Sequence, residues 1–303
     1  MLFLFSLFLF LFALEATKRS IKSFASKRIE QALKKLSSNL FIAIITGIII
    51  TVFLQSSSAV SIILISLLDA KLLTLKSAVG ILLGANIGTT VTVQIISLPI
   101  LDYFYIFIII GFIIFLIGLL LRNNFKYVGT AIFFLGLVFA ALIMMTNYFQ
   151  YAGLKLLNDS LLKYSNANIY TAILLGAVIT GIMQSSSALA GITVSFAYNN
   201  LISLKTAVAI GIGSNIGTCV TAFVASLIAS KSSKSLALAH FVFNLVGVLF
   251  IIPFFNIFLS IITYFSTDLL RQIANSHTLF NVINLLIFLP FFNKFINYLE
   301  KNK

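Results

Sequence analysis

Cysteine occurs once in this chain, at Cys219, which excludes an intramolecular disulfide and argues against a cysteine-based metal site. Charge is nearly as scarce. Charged residues make up 9% of the sequence against 60% hydrophobic residues, a balance that excludes an ordinary soluble domain. The acidic residues are Glu15, Glu30, Asp69, Asp102, Asp159, Asp268 and Glu300, and all fall at segment ends. No carboxylate stands inside an apolar run, where a proton relay usually needs one. Lysine and arginine are missing from the same runs. Although the net charge is +13, the basic residues gather at 18–35 and in short breaks between apolar runs. That placement suits lipid headgroups and leaves no soluble basic domain for nucleic acid.

What the chain has instead is a duplication. QSSSA occurs at 55–59 and again at 184–188, and a G-x-N-I-G-T string follows each, at 84–89 and 213–218. Both offsets are 129 residues, so no gap separates the copies. Gly47 and Gly176, Thr51 and Thr180, and Thr92 and Thr221 keep the same spacing. An ungapped repeat with hydroxyl clusters inside apolar sequence points to a two-fold pseudosymmetric transporter with its site between the halves. The repeats read as 1–129 and 130–258, with 259–303 as a further membrane segment and tail.

Apolar runs at 103–121 and 127–146 reach the roughly 20 residues that a bilayer crossing takes. Each QSSSA divides a longer run into two short arms, which predicts a re-entrant hairpin. Runs 72–98 and 204–229 carry Gly, Asn and Thr at their centres and predict broken helices. Interrupted backbone at membrane depth survives only where protein or a watery cavity satisfies it. The opening MLFLFSLFLFLFAL lacks a positive n-region and a small-residue cleavage site, so it reads as a first membrane segment rather than a signal peptide. Residues 18–38 then predict a basic amphipathic helix lying on the membrane, with a weaker counterpart near 149–165. With that helix in the cytoplasm, thirteen basic residues fall inside and three outside up to residue 235, which favours inversion. The expected fold class is all-α: a polytopic membrane protein with two inverted-topology repeats, each with a re-entrant helical hairpin and a broken helix.

A Ser-rich turn that opens a helix offers hydroxyls together with free N–H groups at the positive end of the helix dipole. That combination holds an oxyanion without a buried Arg or Lys. Sodium as a coupling ion needs only oxygens, which hydroxyls and amide carbonyls supply. The plainer alternative is that these serines bond back to their own helix or join neighbouring helices; two copies in register weigh against it. Gly84 with Gly88 and Gly213 with Gly217 have the small-xxx-small spacing of packed helices, which leaves Asn86 and Asn215 unexplained. His240 and His277 each open H-x-x-F-N, placing His and Asn one helical turn apart. A structural hydrogen bond to an unwound segment is the favoured reading, and a proton-sensitive gate the sharper one. A serine nucleophile with His240 as base would lack an acid to orient the histidine, so no enzymatic activity is expected.

At QSSSA with GANIGTTVT, and at QSSSA with GSNIGTCVTA, the chain resembles the sodium-dependent phosphate cotransporter family, which includes bacterial members and the animal type II carriers. The match covers nearly the whole chain, including LALAHFVFNLVGV at 236–248 and IANSHTLFN at 273–281. The resemblance implies sodium-coupled movement of inorganic phosphate across the bacterial cytoplasmic membrane by alternating access in a multi-pass protein. It implies phosphate binding by Gln55, Ser56, Ser57, Ser58, Gln184, Ser185, Ser186 and Ser187, with Asn86 and Asn215 close by. Sodium would be held by Ser57, Ser58, Thr89, Thr90, Ser186, Ser187 and Thr218, and no other cofactor is expected. The alternative is a non-transporting phosphate sensor or membrane scaffold. Longer bacterial members append a soluble helical regulatory domain; with this chain ending at Lys303, such control is expected from a protein acting in trans. The animal carriers also have an H-x-x-F-N stretch after the first GANIGT, where this chain is apolar, so their stoichiometry does not carry over.

Overall fold

In the computed structural model, residues 2–34, 39–98, 103–151 and 168–301 are described, and every regular element among them is a helix. Asn39 and Asn168, repeat partners, open equivalent helices by accepting first-turn N–H groups from Phe41 and Ile42 in one half and Tyr170 in the other. The helices are α1 (Leu2–Lys34), α2 (Leu40–Leu54), α3 (Ser57–Asp69), α4 (Leu75–Ile96), α5 (Phe104–Leu120), α6 (Phe125–Tyr151), α7 (Ile169–Met183), α8 (Ser186–Tyr198), α9 (Leu204–Ser226), α10 (Lys231–Ile251), α11 (Phe255–Phe265), α12 (Leu269–Phe288) and α13 (Phe292–Lys301). Five segments are long and apolar enough to cross a membrane: Leu75–Ile96, Phe125–Met145, Leu204–Ser226, Lys231–Phe265 and Leu269–Lys301. The protein is therefore a multi-pass membrane protein. The run at 103–121 becomes α5, whose 17 residues sit at the short end of the crossing range.

Two expectations need correction. The strings at 84–89 and 213–218 do not break their helices, because α4 and α9 run straight through them. Their glycines serve close packing instead. A Cβ on Gly84 would fall on the Ile44 carbonyl oxygen, and one on Gly47 on that of Ile81, so α2 and α4 cross backbone to backbone. Gly213 with Ile173 and Gly176 with Ile210 repeat this contact between α7 and α9. The neighbouring hydroxyls fold onto their own helix: Thr89 donates to the Ala85 carbonyl at 2.9 Å, Thr90 to Ile87 at 2.8 Å and Thr218 to Asn215 at 2.7 Å. The second correction is at the N-terminal end, where no turn separates an apolar segment from a basic surface helix. α1 is one helix of 33 residues, and Glu15, Lys18 and Arg19 lie within it. Residues 35–38 of the expected surface helix, and 152–165 of its counterpart, lie outside the described residues.

The halves interlock reciprocally. α3 packs on α9, and α8 packs on α4, contacts that match at the 129-residue spacing. A second spacing, of 37 residues, relates His240 to His277, Asn244 to Asn281 and Pro253 to Pro290. Each proline sits in a 3-10 turn, Ile252–Phe254 or Leu289–Phe291, that joins α10 to α11 or α12 to α13. α10 begins in the core of the first half through Leu236 and Phe243, and α11 ends in the core of the second through Phe258 and Ile262. α12 and α13 do the reverse, with Leu270 and Ile273 in the second core and Phe292 and Ile296 in the first. The two helices cross where a Cβ on Gly247 would fall on the Asn284 side chain, and these residues are themselves 37 apart.

Polar ties join distant helices at two further places. Asp69 at the end of α3 accepts the Ser230 N–H at 3.0 Å and the Ser233 hydroxyl at 2.7 Å. Ser230 and Ser233 thereby hold its carboxyl below the usual carboxylate range. Arg271 of α12 donates to the Gln94 carbonyl at 3.1 Å and to Ser97 Oγ at 3.3 Å.

The glycine contacts make a direct prediction. Gly84→Ala and Gly213→Ala must force apart helices whose backbones touch, and overpacking of this kind costs about 1–3 kcal/mol. Gly211→Ala enters open space. Thermal unfolding in detergent should show both former variants well below the parent and Gly211→Ala close to it. Equal stability of all three would remove the packing explanation.

Candidate functional site

The two QSSS turns have the same local geometry. α2 ends on Gln55 in the left-handed region (φ 50, ψ 30), and α7 ends on Gln184 (φ 52, ψ 27). Each glutamine N–H bonds back to a threonine carbonyl, Thr51 at 2.6 Å and Thr180 at 2.7 Å. The following serine is extended and caps the next helix: Ser56 Oγ accepts the Ala59 N–H at 3.2 Å, and Ser185 Oγ accepts that of Ala188 at 3.3 Å. α3 and α8 therefore start inside the protein, and first-turn N–H groups of a helix have no partner in the helix itself. Ser57, Ser58, Ser186 and Ser187 are buried there, as is Gln55, whereas Gln184 is exposed.

α1 reaches both turns. Gln55 and Thr92 line a cavity of about 140 Å³ with Leu14, Thr17 and Ile21 of α1 and part of α6. Within the same stretch of α1, the Lys18 ammonium donates to Ser185 Oγ at 3.4 Å. A lysine thus reaches the second turn, contrary to the expectation that an anion there would meet no basic side chain. The cause is the continuity of α1, which carries residue 18 past the end of its apolar stretch to the start of α8.

The asparagines are used differently. Asn86 Oδ1 meets His240 Nε2 at 3.3 Å, a hydrogen bond between α4 and α10. The histidine is held by an intact helix and not by an unwound segment. Asn215 Nδ2 instead donates to the Gly211 carbonyl of its own helix at 3.0 Å. His277 lines a small cavity with Thr193 and Ser214, while Asn244 and Asn281 bond back to the carbonyls of His240 and His277 at 3.2 and 2.9 Å. Thr89, Thr90 and Thr218 are buried close to the helix crossings with their donors already spent, so only their oxygen lone pairs remain for a cation.

Other hydroxyls carry the strongest sign of a ligand. Thr51, Thr180, Thr92 and Thr221 have buried Oγ1 atoms with no hydrogen-bond partner. They form two pairs at the 129-residue spacing, so the same groups are orphaned in both halves. A buried polar group without a partner calls for an explanation, and duplication makes chance a poor one. These threonines match in the repeat but stand outside both motifs, which is why motif reading passes over them. Lys18 left no signal of that kind, because its repeat position is Asn147.

The Na+/Pi-cotransporter family matches residues 9–147 and, a second time, residues 144–285. The chain is 34% identical over 268 residues to the "Uncharacterized protein YqeW" of Bacillus subtilis, covering 87% of this chain and 85% of that one. It is 29% identical over 220 residues to the "Putative inorganic phosphate export protein YjbB" of Escherichia coli, covering 71% of this chain and 39% of the relative. It is 41% identical over 61 residues, 20% of the chain, to 9% of the human "Sodium-dependent phosphate transport protein 2B". No solved structure matches the chain.

Orphaned hydroxyls should be dispensable for stability. Thr51→Val and Thr180→Val keep the side-chain shape and relieve a desolvation penalty of about 1–3 kcal/mol. The ligand-free variants should melt at or above the temperature of the parent. A fall of several degrees in both would show that the hydroxyls have partners.

Proposed function

The chain belongs to the Na+/Pi-cotransporter family, and we propose that it carries inorganic phosphate across a bacterial cytoplasmic membrane, coupled to sodium, by alternating access. The observation that carries this reading is the pair of identical serine turns, each opening a buried helix and both adjoining α1 between Leu14 and Ile21. The name of the Escherichia coli relative supports phosphate as the cargo, and the name of the human relative supports sodium as the coupling ion. The reading is of a carrier and not an enzyme.

Phosphate sits between the turns, on the hydroxyls and first-turn N–H groups of Ser56, Ser57, Ser58, Ser185, Ser186 and Ser187, with the amides of Gln55, Gln184, Asn86 and Asn215 around it. Sodium takes oxygens from Ser57, Ser58, Thr89, Thr90, Ser186, Ser187 and Thr218, and the orphaned Thr51, Thr180, Thr92 and Thr221 extend that set. α2 and α3 have 15 and 13 residues, so each is about 20 Å long, short of the roughly 30 Å hydrocarbon core. That length suits re-entrant arms, and the basic-residue asymmetry suits inverted repeats whose turns approach from opposite sides.

Labelled phosphate flux in proteoliposomes should follow a sodium gradient, and equal flux with choline in place of sodium would end the coupling claim. In the same assay, Ser57→Ala and Ser186→Ala should each raise the phosphate KM about ten- to a hundredfold, the loss of one hydrogen bond to a charged group. Inversion is tested separately. Single cysteines at positions 38 and 167, in a Cys219→Ala background, should differ in intact cells: an impermeant thiol reagent labels 167 and not 38. Labelling of both from one side would make the repeats parallel.

A further inference from the structure

α1 packs along α6 and on α2, and it meets α8 through the side chains of Phe10 and Lys18. Phe10 is fully buried against α8, where a Cβ on Gly191 would fall into its ring. About two helical turns further along α1, Lys18 comes level with the start of α8, and its Nζ lies 3.4 Å from Ser185 Oγ. Packing at Phe10, Ala13 and Leu14 holds it there, since all three are buried in the core shared by α1 and α6.

Among the described residues no carboxylate lies within ion-pair distance of the ammonium, and Glu15 acts on it only through its field. Among the described residues the one salt bridge joins Arg19 to Glu15 at 3.0 Å, which engages the carboxylate nearest to Lys18 in sequence. The bond to Ser185 uses one of the three N–H donors of Lys18. Ser185 Oγ is already committed as the cap of Ala188 and lies 3.3 Å from Ser187 Oγ. A cation with spare donors therefore stands at the mouth of a helix N-terminus, beside a cluster of hydroxyls and short of one anion. The first turn has no such arrangement: no basic side chain among the described residues donates to it, and residue 147, the repeat position of Lys18, is asparagine.

We infer that Lys18 is the counter-charge of the anion site, donating directly to an oxygen of the phosphate held at the Ser185–Ser187 turn. The inference rests on the carrier reading above and adds a charged, one-sided contact to a site otherwise built from two neutral halves. It also adds a full positive charge to the partial charges of the helix starts, which strengthens the preference for the more highly charged form of the anion.

Lys18→Gln and Lys18→Arg are compared with the parent by equilibrium binding of labelled phosphate to purified protein and by flux in proteoliposomes. Loss of a charged hydrogen bond should weaken phosphate binding about ten- to a hundredfold in Lys18→Gln, with Lys18→Arg retaining most of the affinity. The sodium concentration for half-maximal flux should change little. An unaltered phosphate affinity in Lys18→Gln would overturn the inference and leave the carrier reading standing. So would an unaltered affinity with a steeper sodium dependence, which would place the ammonium in a cation site. A parent protein that binds phosphate without moving it would sink the carrier reading while the binding comparison still decided the role of Lys18. A parent that binds no phosphate would overturn both.

Discussion

A helix that starts inside an apolar protein must find partners for the N–H groups of its first turn, and everything at the centre of this molecule follows from that requirement. α3 and α8 both begin in buried surroundings, and Ser56 and Ser185 each satisfy only one of those groups. Positive potential remains at both helix starts, and among the described residues no carboxylate bonds to either turn. An oxyanion satisfies the remaining donors and meets the dipole in favourable orientation. The same two starts are where the proposed anion would relieve buried polar backbone.

The rest of the fold holds each helix start in place. The glycines of α2 with α4, and of α7 with α9, allow backbone contact that places each turn against a long helix of its own half. α10–α11 and α12–α13 then pass from one core to the other and cross at Gly247 and Asn284. Neither half can be assembled without a helix that also belongs to its neighbour. The pair of proline turns lets each of these long segments change direction between the two cores.

Much of this was legible from residue spacing. The 129-residue offset foretold equivalent elements, and α2, α3, α7 and α8 start and stop at matched positions. Reading Gly84–Asn86–Gly88 as a break failed for a physical reason. Glycine weakens a helix and also admits a neighbouring backbone, and sequence alone does not say which use prevails. The partners that decide it, Ile44 and Ile173, lie some 40 residues away in the chain. Lys18 was visible only as one of several basic residues in an early cluster, and its contact with Ser185 spans 167 positions. The kinship of α10–α11 with α12–α13 showed in the paired H-x-x-F-N strings, but their exchange of cores depends on packing that no spacing records. A structural hydrogen bond is the favoured reading of His240, but its partner Asn86 stands 154 positions away and no spacing points to it.

Gln55 and Gln184 occupy backbone conformations that L-residues adopt at a cost of roughly 1–2 kcal/mol and that glycine adopts freely. A helix ending of this shape is most often given to glycine. In this chain glutamine holds the position twice, once buried and once exposed. The same strain recurs at the repeat partners Lys71 and Asn200, so each of α2, α3, α7 and α8 is followed by a side chain where glycine would relax the backbone. Of these four only the glutamines stand directly before the serines, which gives the proposed anion site an amide beside each turn.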